Sequence, residues 1–422
     1  MTKKNFNKQV LNRQRITKET LIIGVDIGCE LNSICMMNKE GLELGYRKIF
    51  NSSSGFEFFK KVVNLTKKEG GYKEVLMGME PTGSYWTKLA QYSDSLGYEV
   101  RLIKTSALKY QRGLDESAPG KTDKRDAYTL ANLTREGKYI DSRIDYGTYR
   151  ELRKLVRIRD NTVCKIVKNK GRLRRILDEY FPELQHFYST LDAKGLIAVL
   201  NECSFPEDVI KYGKNNLIDL ISRASRNSKQ GEVKGNKIYS AAKSSIGLRP
   251  IGKSTRFELS TILRDLQRAI KRVEKINEMM EELLIEIPCA QYLLTIPGMG
   301  LVSTAYFLGE LGNPDNFDNH KQIVKFAGYD PVGYDSGKYS SKKHISKKGR
   351  WRLRKILYFI CLGAIRLSPY FKAKYERKQN EGKVAKKAAV CAVVIDLVKV
   401  IFALIRDERA FEERFEAIKI AA

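Results

Sequence analysis

Histidine and cysteine, the side chains that most often bind zinc, are scarce in this sequence. The 422 residues include three histidines and seven cysteines, and no two cysteines are spaced as CxxC. Zinc sites use such residues in clusters at short spacings, so a zinc protein is not expected. The scattered thiols fit no disulfide framework either and are expected to be reduced, as in a cytosol.

Long hydrophobic runs without charges are also missing. The first apolar stretch, residues 21–25, is short and runs directly into Asp26, so no secretory signal peptide is expected. The most apolar segment near the C-terminus, residues 388–405, contains Asp396 and Lys399. We predict a packed helix there rather than a membrane span. These absences favour a cytoplasmic protein that has no membrane partner.

Acidic residues are too few to balance the basic ones. The chain has 77 Lys and Arg against 49 Asp and Glu, a formal net charge of +28. A polyanion partner explains this excess more simply than an ordinary solvated surface does. The length is sufficient for two or three domains with at least one sizeable core. The sequence therefore predicts a multidomain protein that binds nucleic acid.

The first third of the chain alternates short strands and helices, in the order of a ribonuclease H-like fold. Three strands are predicted to form an antiparallel meander, and helices and strands then alternate. The predicted elements are strands at 21–26, 33–37 and 42–50, a helix at 55–68, a strand at 75–79, a helix after 84, a strand at 99–104 and a helix from 122. The pattern alone does not fix the strand order in the sheet.

Four carboxylates in this region occupy positions suited to a metal site. Asp26 and Glu80 each end an apolar run, and Asp123 and Asp126 share one face at the start of a predicted helix. An acid after five apolar residues, such as Asp26, is costly to bury without a partner. Asp123 alone could be no more than a favourable partner of the helix dipole. Together, the four could hold two divalent cations that act on a phosphodiester.

Long helices are predicted from Tyr149 onward. Between Leu259 and Leu283 apolar residues recur at steps of three and four, as in a coiled coil. Two partners for this stripe are weighed equally: another copy of the chain, or a helix at 149–178 in an internal antiparallel hairpin. The intervening segment 226–256 is rich in Ser, Gly, Lys and Asn and is predicted to be an exposed linker.

A basic run follows in the C-terminal part of the chain. Residues 338–355 contain nine Lys or Arg and no acid, with Tyr339 and Trp351 among them. Cations interleaved with aromatic rings favour a surface that follows a phosphate backbone. Its predicted nucleic-acid-binding residues are Lys338, Lys342, Lys343, Lys347, Lys348, Arg350, Arg352 and Arg354. By composition alone, Ser336 just before the run is a turn residue, because no histidine lies beside it to activate the hydroxyl.

Six segments of the chain resemble the DEDD transposases of the insertion-sequence 110 family. They are GVDIG (24–28), MEPTGSYW (79–86), KTDKRDAYTLA (121–131), TIPGMG (295–300), FAGYDP (326–331) and DSGKYSSKKHISKKGRWRLRK (335–355). The resemblance covers most of the chain except the linker and the extreme ends. It implies three parts: a RuvC-like domain at 1–145, a helical coiled-coil region at 146–288, and a mainly helical transposase domain at 289–422.

The resemblance also implies roles for the site residues. The four acids become the DEDD tetrad, which binds two Mg²⁺ ions with Mn²⁺ as a substitute, and Ser336 becomes a nucleophile that bonds transiently to a DNA phosphate. The implied partners are target DNA, donor DNA, a structured non-coding guide RNA and further copies of the chain, as a dimer or tetramer in a prokaryotic cytoplasm. Asp335 stands where many relatives have a small polar residue, which leaves the serine assignment intact.

Three alternatives compete with this interpretation. A Holliday-junction nuclease shares the tetrad but uses water and does not need Ser336. A sugar-kinase or actin-like ATPase shares a first phosphate loop like residues 24–28, but the second Gly-rich Asp loop is not found and the net charge argues against it. A non-catalytic nucleic-acid-binding scaffold predicts no loss of function when Asp26 becomes Asn.

Overall fold

The structure is a computed structural model of the chain. It describes residues 3–81, 83–114, 122–139, 147–333, 335–336, 339–340, 344–382 and 385–413, with the backbone alone at 3–8, 335–336, 339–340 and 381–382. The chain divides into an N-terminal unit, Met1–Ile144, and a C-terminal unit, Asp145–Ala422. Each is described by itself.

The N-terminal unit is built on one mixed sheet. Its elements are α1 (Lys3–Gln14), β1 (Thr20–Asp26), β2 (Leu31–Met37), β3 (Glu43–Phe50), α2 (Ser53–Gly70), β4 (Glu74–Met79), α3 (Trp86–Ser95), β5 (Glu99–Leu102), α4 (Thr105–Leu114) and α5 (Asp123–Arg135). The strand order is β3-β2-β1-β4-β5, with β1, β2 and β3 antiparallel and β4 parallel to both β1 and β5. The predicted meander is confirmed, and the order agrees with a ribonuclease H-like fold. Helix α4 was not predicted.

Two glycines let α5 lie directly on the centre of this sheet. A Cβ on Gly24 of β1 would lie 2.1 Å from the Ala131 nitrogen and 2.2 Å from the Ala127 oxygen, both backbone atoms of α5. A Cβ on Gly78 of β4 would lie 1.8 Å from the Thr134 hydroxyl. The space that a side chain at Gly24 would need is thus occupied by the backbone of α5, two residues before Asp26.

The start of α5 is fixed by a side-chain cap. Thr122, in an extended conformation, accepts a hydrogen bond from the Arg125 amide. Such a cap satisfies one of the free amides of a first helical turn. The helix predicted from 122 is therefore confirmed, and it begins at Asp123, so that Asp123 and Asp126 both lie in its first turn.

The C-terminal unit is almost entirely helical in the part that the structure describes. Its elements are α6 (Thr148–Tyr180), α7 (Lys194–Glu202), α8 (Pro206–Tyr212), α9 (Lys214–Ser225), α10 (Ser228–Lys243), α11 (Lys253–Ile285), α12 (Ala290–Leu294), α13 (Leu301–Leu311), α14 (His320–Ala327), β6 (Pro331–Val332), β7 (Asp335–Ser336), β8 (Tyr339–Ser340), β9 (His344–Ile345), α15 (Trp351–Leu367), α16 (Pro369–Gly382) and α17 (Lys386–Arg406).

Helices α6 and α11 pack against each other in opposite directions. Leu152 near the start of α6 shares a core with Met280 near the end of α11, whereas Leu177 near the end of α6 shares a second core with Leu259. Beside the first core, the Arg159 guanidinium donates to the Asn277 side chain at 2.8 Å. The internal antiparallel pairing is therefore present, and the apolar stripe of α11 is used within the chain. Self-association through these helices stays a prediction.

The exposed linker predicted at 226–256 is wrong for most of its length, because α10 occupies residues 228–243. Its glycines suggested a flexible chain, but they are points of close helix packing. A Cβ on Gly231 would lie 1.9 Å from the Ser222 hydroxyl, and one on Gly235 would lie 2.6 Å from a side-chain carbon of Ile218. Small residues here let α9 and α10 approach closely.

The boundary predicted at 288 lies inside the C-terminal unit. The core around Leu152 also contains buried residues of α13, α15 and α17, such as Phe307, Leu357 and Leu397. Helix α17 is, among the described residues, the one helix long and apolar enough to cross a membrane. Its residues Val393 and Ile401 are fully buried in that core. This packing agrees with the predicted packed helix at 388–405.

Candidate catalytic site

Three of the four predicted acids line one cavity of the N-terminal unit. Asp26 is the last residue of β1, and Glu80 directly follows β4. Because β1 and β4 are parallel neighbours, their carboxyl ends meet at the same edge of the sheet. Asp123, the first residue of α5, reaches the same cavity, whose volume is about 440 Å³. Glu80 is 8% exposed and Asp26 is half-buried.

The same cavity is lined by cationic residues of α4. Lys109 and Arg112, three residues apart on that helix, contribute to its lining together with Thr105. Sequence reasoning missed them because α4 was not predicted. The sequence did contain a weak signal for this helix. Thr105 and Ser106 are favourable residues for a helix start, and Leu108, about one turn later, is apolar and buried. The cavity therefore carries carboxylates from the strand ends and cations from a helix.

Asp126, the fourth predicted acid, is held by Arg112. The Arg112 Nε donates to Asp126 Oδ1 at 2.6 Å, and Nη2 lies 2.5 Å from Oδ2. Asp126 is 1% exposed and does not belong to the cavity lining. A guanidinium and a carboxylate that pair through both oxygens form one of the strong charge-assisted contacts of proteins. Asp126 is thus adjacent to the other three acids in the fold but engaged by a cation of the chain itself.

The cavity fits a hard divalent cation in chemical type. Carboxylate oxygens are the ligands that Mg²⁺ prefers in proteins, and Asp26, Glu80 and Asp123 supply them from two strands and a helix. Their arrangement is open: within the described ranges, no group of three or more His, Cys, Asp or Glu side chains is placed to hold a single ion. Binding of an ion therefore requires these side chains to converge.

The predicted nucleophile belongs to the C-terminal unit. Ser336 lies in β7, which pairs antiparallel with β8, so that Ser336 is opposite Tyr339 and Asp335 is opposite Ser340. The flanking strands β6 and β9 also pair, with Val332 opposite His344. Only the backbone of Ser336 is described. Lys338, Lys342 and Lys343 lie outside the described residues.

The three predicted nucleic-acid-binding arginines have partners inside the C-terminal unit. Arg350 Nη1 donates to the Glu310 carbonyl at 2.5 Å. Arg354 Nη1 donates to the carbonyls of Ala327, at 3.0 Å, and Lys347, at 3.1 Å. These bonds join α15 to α13, to α14 and to the segment after β9. The arginines therefore support the backbone around the strands that carry Ser336.

Arg352 is part of a half-buried polar group between helices. Its Nε lies 3.2 Å from Asp160 Oδ2, and the Tyr306 hydroxyl donates to Asp160 Oδ1 at 2.9 Å. Burial, opposed by Arg159 and reinforced by Asp160, raises the pKa of Tyr306 to about 12, so the phenol keeps its proton. The group joins α6, α13 and α15, and it gives Arg352 a structural partner.

The lysines of the basic run differ from its arginines. Lys347, Lys348 and Lys355 are exposed, and no hydrogen bond or ion pair is formed by the side chain of Lys348 within the part of the chain that the structure describes. Exposed lysines close to the pairing of β6 with β9 can contact phosphates without a structural cost. They are the better-placed cations for nucleic acid.

This difference predicts that a substitution of an arginine lowers stability, whereas a substitution of a lysine changes DNA binding. Arg354→Met removes the bonds to two carbonyls and should lower the free energy of unfolding by roughly 1–3 kcal/mol, the range of hydrogen bonds made by charged groups. Lys348→Gln should leave the stability unchanged and reduce the salt dependence of DNA binding by about one phosphate contact. Chemical denaturation and salt-dependent binding isotherms measure the two effects. Equal stability losses in both variants would contradict the assignment.

Comparison with known proteins gives the family. A family model described as transposase, of the IS110 DEDD type, matches residues 23–182, and the model of the IS116/IS110/IS902 transposase family matches residues 290–376. Together they cover more than half of the chain.

Whole-length relatives agree with these matches. The chain is 23% identical to an uncharacterized 44.8 kDa protein of insertion element IS116 from Streptomyces clavuligerus, over 92% of this chain and 95% of that protein. It is 21% identical to an uncharacterized 43.6 kDa protein of IS110 from Streptomyces coelicolor, over 74% and 78%. Identity is also 21% with an uncharacterized 42 kDa protein of IS900 from Mycobacterium paratuberculosis, over 92% and 96%. The chain therefore belongs to the IS110/IS116 family of transposases, enzymes that cut and rejoin DNA.

Proposed function

We propose that this transposase joins DNA strands through a covalent bond between Ser336 and a DNA phosphate, and that the carboxylate cavity of the N-terminal unit assists with bound Mg²⁺. The observation that carries the proposal is the shared cavity of Asp26, Glu80 and Asp123 at the ends of two parallel strands. Three carboxylates from separate elements that line one cavity bring like charges together, which favours a functional reason for them.

The acids would hold the metal. Asp26, at the end of the central strand β1, would be the bridging ligand, and Glu80, Asp123 and Asp126 would complete the two coordination shells. We expect two Mg²⁺ ions, with Mn²⁺ as a substitute. When bound, such ions stabilise the charge on the attacking and leaving oxygens of a phosphodiester.

Ser336 would supply the nucleophile. Its Oγ forms a bond to phosphorus, the bond from phosphorus to one nucleoside oxygen breaks, and that oxygen takes up a proton. A hydroxyl of the second DNA strand then attacks the same phosphorus and releases the serine, so the number of phosphodiester bonds is conserved. Serine needs activation for this step. The proposal therefore depends on residues from both units of the chain.

The charge and the helices support the proposed partners. A net charge of +28 suits binding of donor DNA, target DNA and a structured guide RNA at once. We also propose a homo-oligomer, a dimer or a tetramer. Since Leu259, Ile262 and Leu266 of α11 are buried within the chain, a contact between copies would use a surface other than this apolar stripe.

The experiment is a test for a covalent protein–DNA adduct. The wild-type protein with DNA and guide RNA should give a species that survives denaturing gel electrophoresis, and Ser336→Ala should give none and should not exchange strands. Ser340→Ala is the matched control, since Ser340 lies in the paired strand β8. Strand exchange by Ser336→Ala at the rate of the control would eliminate the serine mechanism and favour a nuclease that uses water.

A further inference from the structure

We propose that Arg112 changes partner when the site is loaded: its guanidinium leaves Asp126 and takes a phosphate of DNA, and Asp126 then becomes available to the divalent cation. This inference rests on the proposed metal-assisted function. By this inference, Arg112 of α4 contacts the DNA directly, and its position decides whether Asp126 can bind the metal ion.

The first support is the double position of Arg112. Its side chain lines the cavity shared by Asp26, Glu80 and Asp123, and it also pairs with both oxygens of Asp126 at 2.6 and 2.5 Å. The Arg112 side chain is 31% exposed, whereas that of Asp126 is 2% exposed. The guanidinium is therefore the partner that a ligand in the cavity can reach, whereas the Asp126 carboxylate is buried in α5.

The second support is competition for one carboxylate. A divalent cation at Asp126 needs at least one of the two oxygens that the guanidinium contacts. It would also be placed beside a positive charge at short range, where like charges repel strongly in a partly buried setting. The ion and the pairing of Arg112 with both oxygens therefore exclude each other, and an anion beside Arg112 would relieve the remaining repulsion.

The third support is that a phosphate is a suitable anion for this exchange. A guanidinium binds phosphate and carboxylate with the same two-pronged geometry. Lys109, one turn earlier on α4, lines the same cavity and adds a second cation beside the incoming phosphate. A DNA phosphate in the cavity thus offers Arg112 a replacement for the carboxylate that it gives up.

The exchange has a consequence for control of the enzyme. Without DNA, the Arg112–Asp126 pair keeps the metal site incomplete, so that cleavage chemistry is not assembled. With DNA, phosphate binding and cation binding strengthen each other, and by thermodynamic linkage the two effects are equal in size.

The test measures Mn²⁺ binding to the full chain by electron paramagnetic resonance, with and without a short DNA duplex. Arg112→Gln should bind Mn²⁺ without DNA about 5–150-fold more tightly than wild type, the usual range of coupling between two sites. Wild type should gain a similar factor when DNA is added, and Arg112→Gln should gain little. Arg112→Lys keeps the charge but cannot bind both carboxylate oxygens at once, so its Mn²⁺ affinity without DNA should lie between those of wild type and Arg112→Gln. This variant replaces Arg112→Gln in the test if the latter folds poorly.

Two further variants separate the explanations. Lys109→Gln removes a cation of the same helix without touching Asp126, so it should change Mn²⁺ affinity without DNA much less than Arg112→Gln does. If the two variants change the Mn²⁺ affinity equally, the effect is one of general electrostatics and the exchange is overturned. An Mn²⁺ affinity of Arg112→Gln that is unchanged or weaker would also overturn it. If Asp26→Asn binds Mn²⁺ as wild type does, the proposed metal site itself fails, and this outcome is distinct from failure of the exchange.

Discussion

Asp26→Asn should reduce DNA strand cleavage by more than about 100-fold, because loss of even an outer-shell partner of a metal ligand commonly costs 10–100-fold. Asn keeps the shape of the side chain but removes the charge that the ion requires. Asp26 ends the central strand and lines the cavity together with Glu80 and Asp123. Cleavage of a labelled DNA substrate in the presence of Mg²⁺ measures the effect.

The matched control for this prediction is Asp94→Asn. Asp94 is an exposed acid of α3 in the same unit, and it does not line the cavity. Its substitution should leave cleavage unchanged. Affinity for DNA, measured without metal, should be similar in both variants. Full cleavage activity in Asp26→Asn would contradict the role of Asp26 as a metal ligand, whereas absence of cleavage by the wild type itself would support the non-catalytic scaffold.

Gly24→Ala should destabilise the N-terminal unit by about 3 kcal/mol or more, at or beyond the upper end of the usual cost of overpacking. The new methyl group would lie 2.1 and 2.2 Å from two backbone atoms of α5, at Ala131 and Ala127. Neither atom can turn away as the end of a side chain can, so the helix has to move. Because Asp123 is the first residue of that helix, the cavity should lose a carboxylate from its lining.

Hydrogen exchange on the full chain localises this effect. Peptides from α5 and β1 should exchange faster in Gly24→Ala, whereas peptides from α15 should be unchanged. Gly45→Ala in β3 of the same sheet is the control, because its Cβ would meet only the flexible end of Met36, at 3.3 Å. Similar exchange in the two variants would show that the contact between α5 and β1 is not the constraint that the geometry indicates.

The sheet and three of the acids could be predicted because their signals are local. An apolar run that ends in a carboxylate, as at Asp26 and Glu80, predicts a buried strand and also the position where that strand ends. Thr122 likewise predicts the start of α5, because threonine is a favoured N-cap residue. Such patterns depend on neighbours in sequence, and the structure confirms the elements that they predicted.

The remaining features depend on neighbours in space. The Arg112–Asp126 pair joins α4 to α5, and the sequence pattern indicates α4 only weakly. Arg350 and Arg354 looked like a phosphate-binding surface because a charge count does not show that their guanidinium groups donate hydrogen bonds to backbone carbonyls. Gly231 looked like part of a linker because its role depends on the approach of α9. In each case the residue type was informative only once its partner was known.

The antiparallel pair α6 and α11 also restricts how the chain length can change. Val156 of α6 belongs to one core, and Leu173, which belongs to the other, lies 17 residues further along the same helix. At 1.5 Å per residue this separation is about 25 Å. One residue inserted between them turns everything beyond by about 100° and removes one core from its partners on α11. Seven residues added to both helices would lengthen the pair by about 10 Å with little rotation. Insertions and deletions between the cores are therefore tolerated only in matched steps of about two turns.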